Sequence, residues 1–311
     1  MPYSVEVIAD SVPVGKLFQS TPRLTTLAIT LPRIVLAELN THRMFSRNSA
    51  SSRAIPIQRM IDKVMQDPFI PFYWGANQKG MQAHVEIDAA SRQQAERQWL
   101  LARDAAVEQA LKLSSLGVHK QLANRLLEPW LYTTVLVTAT DWENFFTLRC
   151  HPDAQPELRK AAEMMRDAMA ASVPRPLGFC EWHKPYAQPD DADGWEATVM
   201  TDVVTDAVEW QQLPTQPSDY AQLLLCVARC ARVSYGTSAS LRDRADDVAL
   251  AKRLAVSGHW SPFEHVATPM VRPEYSANFF GWVQLRRYFK GESGGATGVA
   301  LRTPRLQALV K

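Results

Sequence analysis

Residues 24–38 read LTTLAITLPRIVLAE. The stretch begins as a β-branched alternation, the period of a strand, and turns helix-compatible after Pro32. Working outward, 155–171 (QPELRKAAEMMRDAMAA) predicts an amphipathic helix with Pro156 in its first turn. From about Val85 to Leu116 the chain is rich in Ala, Gln, Glu, Arg and Leu without Pro or Gly, which predicts a long helix ended by Gly117. Ser218-Asp219 cap a further helix running to about Val233, and 240–257 predicts another. Helices alternate with strands, and order alone leaves α+β and α/β open.

The chain has 311 residues, enough for one large domain or two ordinary ones. Thirty-four Lys and Arg stand against 32 Asp and Glu. A net charge of +2 advertises neither a nucleic acid nor a membrane surface, so any anion site must be a local cluster. Thirteen glycines and no G-x-G-x-x-G or Walker pattern disfavour the commonest nucleotide-binding folds. Four cysteines provide no disulfide framework, which points to a reducing cytoplasm. The first 30 residues predict neither a signal peptide nor an anchor, and Trp130–Ala139 is too short to span a bilayer.

The local cluster is at 41–53, THRMFSRNSASSR, where His42, Arg43, Arg47 and Arg53 stand among four serines. Guanidinium forks and hydroxyls suit a phosphate, although the same composition describes a solvated loop. Ile55-Pro56 marks an element boundary after it. Farther on, Arg125 precedes one apolar strand-like run, and Arg149 follows another, Asn144–Leu148. An arginine among aromatics needs an anion or an acceptor, whether a ligand or an ion pair with Glu128 or Glu157. His42–Ser49 and Arg286–Ser293 echo one another, which is compatible with chance or an old duplication.

Together these segments resemble a known family. His42-Arg43, seven residues, Ser51, one residue and Arg53 are similar to the R-H-R-x7-S signature of flavin-dependent thymidylate synthases. That family's later block is matched at Arg125, Pro129, Tyr132-Thr133, Asn144-Phe145, Leu148-Arg149, Ala154-Gln155 and Glu157-Leu158-Arg159. Two further motifs, Ala231–Tyr235 (ARVSY) and Gly258–His265 (GHWSPFEH), resemble family motifs that normally precede the R-H-R loop. Here they follow it by roughly 190 positions. The resemblance therefore implies an α+β sheet-and-helix fold of permuted or partly duplicated topology. Residues 1–185 would form a nucleotide/flavin-binding part, 186–217 a connection, and 218–311 a second part packed into one sheet system with the first.

The resemblance implies a homotetramer that binds FAD at subunit interfaces. It would methylate C5 of uracil in UMP or dUMP, with methylenetetrahydrofolate as carbon donor and NADPH as reductant. By motif position, His42, Arg43, Ser46, Asn144 and His265 would approach the flavin and folate. Ser51, Arg53 and Arg125 would hold the nucleotide phosphate, and Arg149 would bind the pyrimidine and stabilise charge on its carbonyl oxygen. Departures stand at Thr41 (first Arg of R-H-R), Glu38 (Gln), Ser49 (a nucleotide-side Glu), Ala54 (Tyr) and Asn124 (Ala). Ser49 would leave room for a ribose 2′-OH, as in the UMP/dUMP methylases of nucleoside-antibiotic biosynthesis that the chain also resembles.

Rival readings follow from other residues. Cys150, beside Arg149, is the candidate thiolate of a flavin-independent mechanism. A folate-dependent hydroxymethylase, or a nucleotide- or RNA-binding protein without enzymatic activity, would use the same arginines. Cys180-x-x-His183 and Cys226-x3-Cys230 match no four-ligand zinc spacing and are expected to pack, with no metal bound. GESGGATG at 291–298 is a flexible turn or a phosphate cradle.

Overall fold

The β-branched run becomes an inner strand. In the computed structural model, described over residues 3–18, 20–178, 180–192, 217–235 and 243–289, β1 (Ser4–Pro13) pairs antiparallel with β2 (Leu24–Pro32). Pro32 ends β2, and the chain enters a 3-10 turn and then α1 (Leu36–Asn40). The serine-rich loop returns as β3 (Ser46–Ser49), followed by α2 (Ile57–Gln66). The long helix is α3 (Ala89–Ser115), started by the Asp88 side chain accepting from Ala90 and Ser91. Gly117 at φ +80° allows the chain to turn away after it. Then come α4 (Lys120–Ala123), β4 (Tyr132–Ala139), α5 (Glu143–Arg149), α6 (Pro156–Ala171) and β5 (Arg175–Leu177).

The five strands form one sheet in the order β3-β4-β2-β1-β5, antiparallel except for β1 with β5. This mixed sheet with segregated helices is α+β. On one face, Leu27, Ile29 and Leu31 meet Val135, Val137 and Ala139 and pack against Phe145 and against Leu158, Ala161 and Met165 of α6. The run 144–148, expected to be strand-like, is the helix α5. Trp142 and Phe146, four apart, stack at 5.8 Å, and Phe145 is buried, a helical spacing.

The C-terminal residues cover the other face. They supply α7 (Pro217–Arg232), α8 (Arg244–Val256), a 3-10 turn over Ser261–His265, and the short strands β6 (Ala267–Pro269), β7 (Tyr275–Ser276), β8 (Phe279–Phe280) and β9 (Trp282–Gln284). Among the described residues these short strands are not part of the main sheet. β6 pairs with β9 and β7 with β8 as separate ribbons. The attachment is by side chain and loop: Ser51 N–H donates to Ser234 O (2.8 Å), Asn48 Nδ2 to Cys230 O (3.2 Å) and Trp282 Nε1 to Pro22 O (2.8 Å).

Between this layer and the sheet lies a buried polar chain. Ser11 Oγ meets His183 Nδ1 (2.8 Å), and His183 Nε2 meets Thr26 Oγ1 (2.7 Å). Thr26 Oγ1 meets Thr138 Oγ1 (2.7 Å), which meets His265 Nδ1 (2.7 Å). Among the described residues no helix is long and apolar enough to cross a membrane. The stretch 291–298, most of the 186–217 connection and the end of the 286–293 echo lie outside the described residues.

Candidate functional site

The sheet edge at β3 carries the loop motif, and the strand divides the predicted residues. Before it, the turn after α1 brings Thr41 and His42 onto the end of α5. Arg149 Nε donates to His42 Nε2 (2.8 Å), and Arg149 Nη2 donates to Thr41 Oγ1 (3.2 Å). His42 also stands edge-on to Phe145, with ring centroids 4.8 Å apart. Burial first, then the nearby charges of Arg149 and Arg47, push its pKa down to about 4, so the imidazole is a neutral acceptor at neutral pH. Arg43 and Asn144 are exposed, and neither makes a hydrogen bond or ion pair among the described residues.

Within β3 the side chains alternate between faces. Ser46 is buried towards the C-terminal layer, where Asn278 Nδ2 (3.0 Å) and Gln284 Nε2 (3.2 Å) donate to its Oγ. Asn48 faces the same way, whereas Arg47 reaches Leu39 O (3.2 Å) on the other side. Ser49, opposite Val135, follows Arg47 in this alternation.

Beyond β3 the loop reaches two cavities that share Ser51. The smaller, about 300 Å³, is lined by Arg33, Ser52, Tyr132, Thr133 and Tyr186 among others. The larger, about 430 Å³, gathers Ser51 and Arg53, then Ser234 and Tyr235 from the ARVSY segment, and His259 and Ser261 from the GHWSPFEH segment. The Ser51 and Arg53 side chains have no protein partner among the described residues, which leaves a hydroxyl and a full guanidinium for an anion. Arg125 is exposed and paired with Glu128 (2.8 Å), whose Oε1 also accepts from Ser52 Oγ (2.5 Å) and lies 3.1 Å from Arg33 Nε. Asn124, the departure beside Arg125, is fully buried. Its Nδ2 donates to Ser52 O (2.7 Å) and Ile55 O (2.9 Å), holding the loop closed where an alanine would leave both carbonyls unpaired.

The structure thus brings together Ser51 with Arg53, and separately His42 with Arg149, but not the two groups with each other. Ser49 and His265 line neither cavity. His265 is fully buried, bound to Thr138, with burial pushing its pKa down to about 3. His259, Ser234, Tyr235 and Ser261 also line the larger cavity; they lie within the quoted ARVSY and GHWSPFEH motifs but are not among the residues expected from the sequence.

The rival thiolate at Cys150 gains no support: burial raises its thiol pKa, and Arg166, not the adjacent Arg149, is the cation that opposes this. A thiol raised in this way is not an activated nucleophile. Cys226 and Cys230 are fully buried, as their helical spacing predicts.

Residues 24–175 match the family described as thymidylate synthase complementing protein. That region, just under half of the chain, is similar to this family. The match includes the loop at 41–53 and the block from Arg125 to Arg159, while ARVSY and GHWSPFEH lie beyond it. Similar solved structures include the UMP/dUMP methylase PolB from Streptomyces cacaoi bound with 5-Br dUMP, at 20% identity and TM-score 0.45, covering 54% of this chain and 90% of that one. The same methylase bound with 5-Br UMP gives 18% identity and TM-score 0.43, with 54% and 88% covered. No curated protein gives a significant match.

Proposed function

We propose that the protein methylates C5 of uracil in UMP or dUMP as a flavin-dependent thymidylate synthase-type enzyme. The observation that carries this reading is the larger cavity, where three motifs spread over roughly 210 positions, from Ser51 to Ser261, converge. Ser51 and Arg53 present unspent donors there for the nucleotide phosphate. The family match over 24–175 supports the chemistry.

Arg149 is the residue assigned to the ring. C5 of uracil is a weak nucleophile until electron density is pushed towards it, and a fixed guanidinium at a ring carbonyl stabilises the charge that builds on oxygen. His42 and Thr41 hold that guanidinium from behind. Within one chain Arg149 and the Ser51–Arg53 cavity are separate, which favours an assembly in which a second copy completes the site, the homotetramer implied by the resemblance.

The residues fit a flavin dinucleotide. Arg43 and Asn144 are exposed with no polar partner among the described residues, a donor set suited to its diphosphate. Thr41 in place of an arginine removes one cation from that side. When bound, FAD supplies the reducing equivalents and methylenetetrahydrofolate the carbon; the chain's own residues bind, orient and stabilise charge.

The test is the Arg149→Ala variant assayed with UMP and with dUMP, in the presence of FAD, methylenetetrahydrofolate and NADPH, with mass analysis of the product. Loss of at least about 100-fold in kcat/KM with retained flavin absorbance is expected. Undiminished turnover would overturn the assignment. A product heavier by hydroxymethyl would favour the hydroxymethylase instead. Activity on dUMP with none on UMP would remove the ribose tolerance attached to Ser49.

A further inference from the structure

Position 41 is where this chain departs from the R-H-R pattern, and the structure gives the departure a use. The Thr41 hydroxyl has one hydrogen, and it is spent on Glu38 O at 2.7 Å. Towards Arg149 the oxygen is therefore only an acceptor, and it receives Nη2 at 3.2 Å. His42 Nε2 receives Nε of the same guanidinium at 2.8 Å, which requires the imidazole to carry its proton on Nδ1. Nε and Nη2 lie on one edge of the guanidinium plane, the fork that a carboxylate would grip. Two neutral acceptors grip it here, so the full positive charge is left uncompensated. Among the described residues Nη1 has no protein acceptor.

We propose that Thr41 and His42 are positioning residues that form a neutral two-point clamp on Arg149, directing its Nη1 edge outward to a ring carbonyl of the pyrimidine nucleotide. This rests on the proposed function and adds to it the reason for threonine at position 41. A carboxylate clamp would hold the arginine as firmly but would spend the charge needed at the carbonyl. An arginine at 41 could accept nothing and would repel Arg149. Phe145 and Phe45, with ring centroids 4.8 and 5.9 Å from His42, fix the imidazole plane, so the clamp is preorganised rather than assembled on binding.

Two measurements on the full chain test this. Side-chain nitrogen NMR of the wild-type protein should show His42 as the Nδ1–H tautomer. Calorimetric titration with UMP and dUMP should show Thr41→Val binding about tenfold more weakly than wild type, the scale of one charge-assisted hydrogen bond. Thr41→Ser should return to within about twofold, because serine keeps the acceptor. Valine also loses the bond to Glu38 O that serine keeps, so thermal unfolding of each variant is compared, and a loss of affinity at unchanged melting temperature separates the clamp from a structural role. An Nε2–H tautomer for His42, equal affinity of Thr41→Val and wild type, or Thr41→Ser as weak as Thr41→Val would each overturn the clamp. Wild-type protein that binds neither nucleotide sinks the functional reading as well. Wild-type binding with an indifferent Thr41→Val sinks this inference alone.

Discussion

The two faces of the central sheet differ in what binds them: one is mainly apolar, whereas the other sets a polar chain beside apolar contacts such as Leu136 with Cys230 and Val233 and Leu24 with Trp282. The face under α1, α5 and α6 is a set of aliphatic side chains, Leu27, Ile29, Leu31, Val135, Val137 and Ala139, held by burial. The face under α7 and the Ser261–His265 turn presents Thr26, Thr138, Ser46 and Asn48, each tied by hydrogen bonds to the C-terminal layer or, for the two threonines, to one another and to buried histidines. Burial tolerates small rearrangement, because apolar contact has no direction. A buried polar chain does not: its hydrogen bonds have direction and favour one geometry, and a broken link strands another desolvated group beside His265 Nε2, which has no partner among the described residues. The polar face is therefore the register device that seats the C-terminal residues, and with them Ser234, Tyr235 and His259 at the larger cavity.

Acid should separate the two faces most strongly. His183 and His265 are fully buried, and burial holds both pKa values down at about 3, against about 6.5 when exposed. Between those values the unfolded chain binds more protons than the folded one, so stability is full above about pH 6.5 and falls as the pH falls towards 3. From pH 7 to pH 5 the loss is about 2 kcal/mol for each histidine. Urea unfolding at the two pH values measures it. An unfolding free energy that is flat over this window would show that the polar chain is open to water.

Thr138→Val should cost about 1–3 kcal/mol at pH 7, because valine matches the shape and strands His265 Nδ1 and one side of Thr26. The C-terminal layer should loosen first, so amide exchange over 261–269 should rise while α6 keeps its protection. Equal acceleration in both regions would mean that the two faces unfold as one unit and that the polar chain has no local role.

The sequence reading succeeded on the face governed by periodicity. The alternation in LTTLAITLP and the amphipathic run 155–171 became β2 and α6. The polar face was illegible because Thr26 and Thr138 look like ordinary strand residues, and their partners stand more than 100 positions away at His183 and His265. The same limit applied to the site. Ser51 and Arg53 were readable from local motif spacing, and they do share a cavity. Within GHWSPFEH, a 3-10 turn decides which side chain faces the cavity and which the core, and no helical or strand period reveals it. His259 and Ser261 line the cavity, whereas His265 faces the core.

The smallest effect is expected at Cys150, on the apolar side. Its N–H closes α5 by donating to Phe146 O (2.9 Å), and its side chain packs half-buried against the aliphatic cluster. The thiol pKa lies above the usual cysteine value because burial outweighs Arg166, with Glu163 and Asp167 adding to the rise. A group so placed contributes packing and no thiolate at neutral pH. Cys150→Ala keeps the backbone hydrogen bond and removes one sulfur from a partly open site, so stability should fall by about 1 kcal/mol or less. Turnover of UMP and dUMP should stay within about twofold of wild type, and wild-type alkylation by iodoacetamide at pH 7 should be slower than that of free cysteine. If Cys150→Ala loses turnover while Arg149→Ala keeps it, the thiol and not the guanidinium at the end of α5 carries the chemistry.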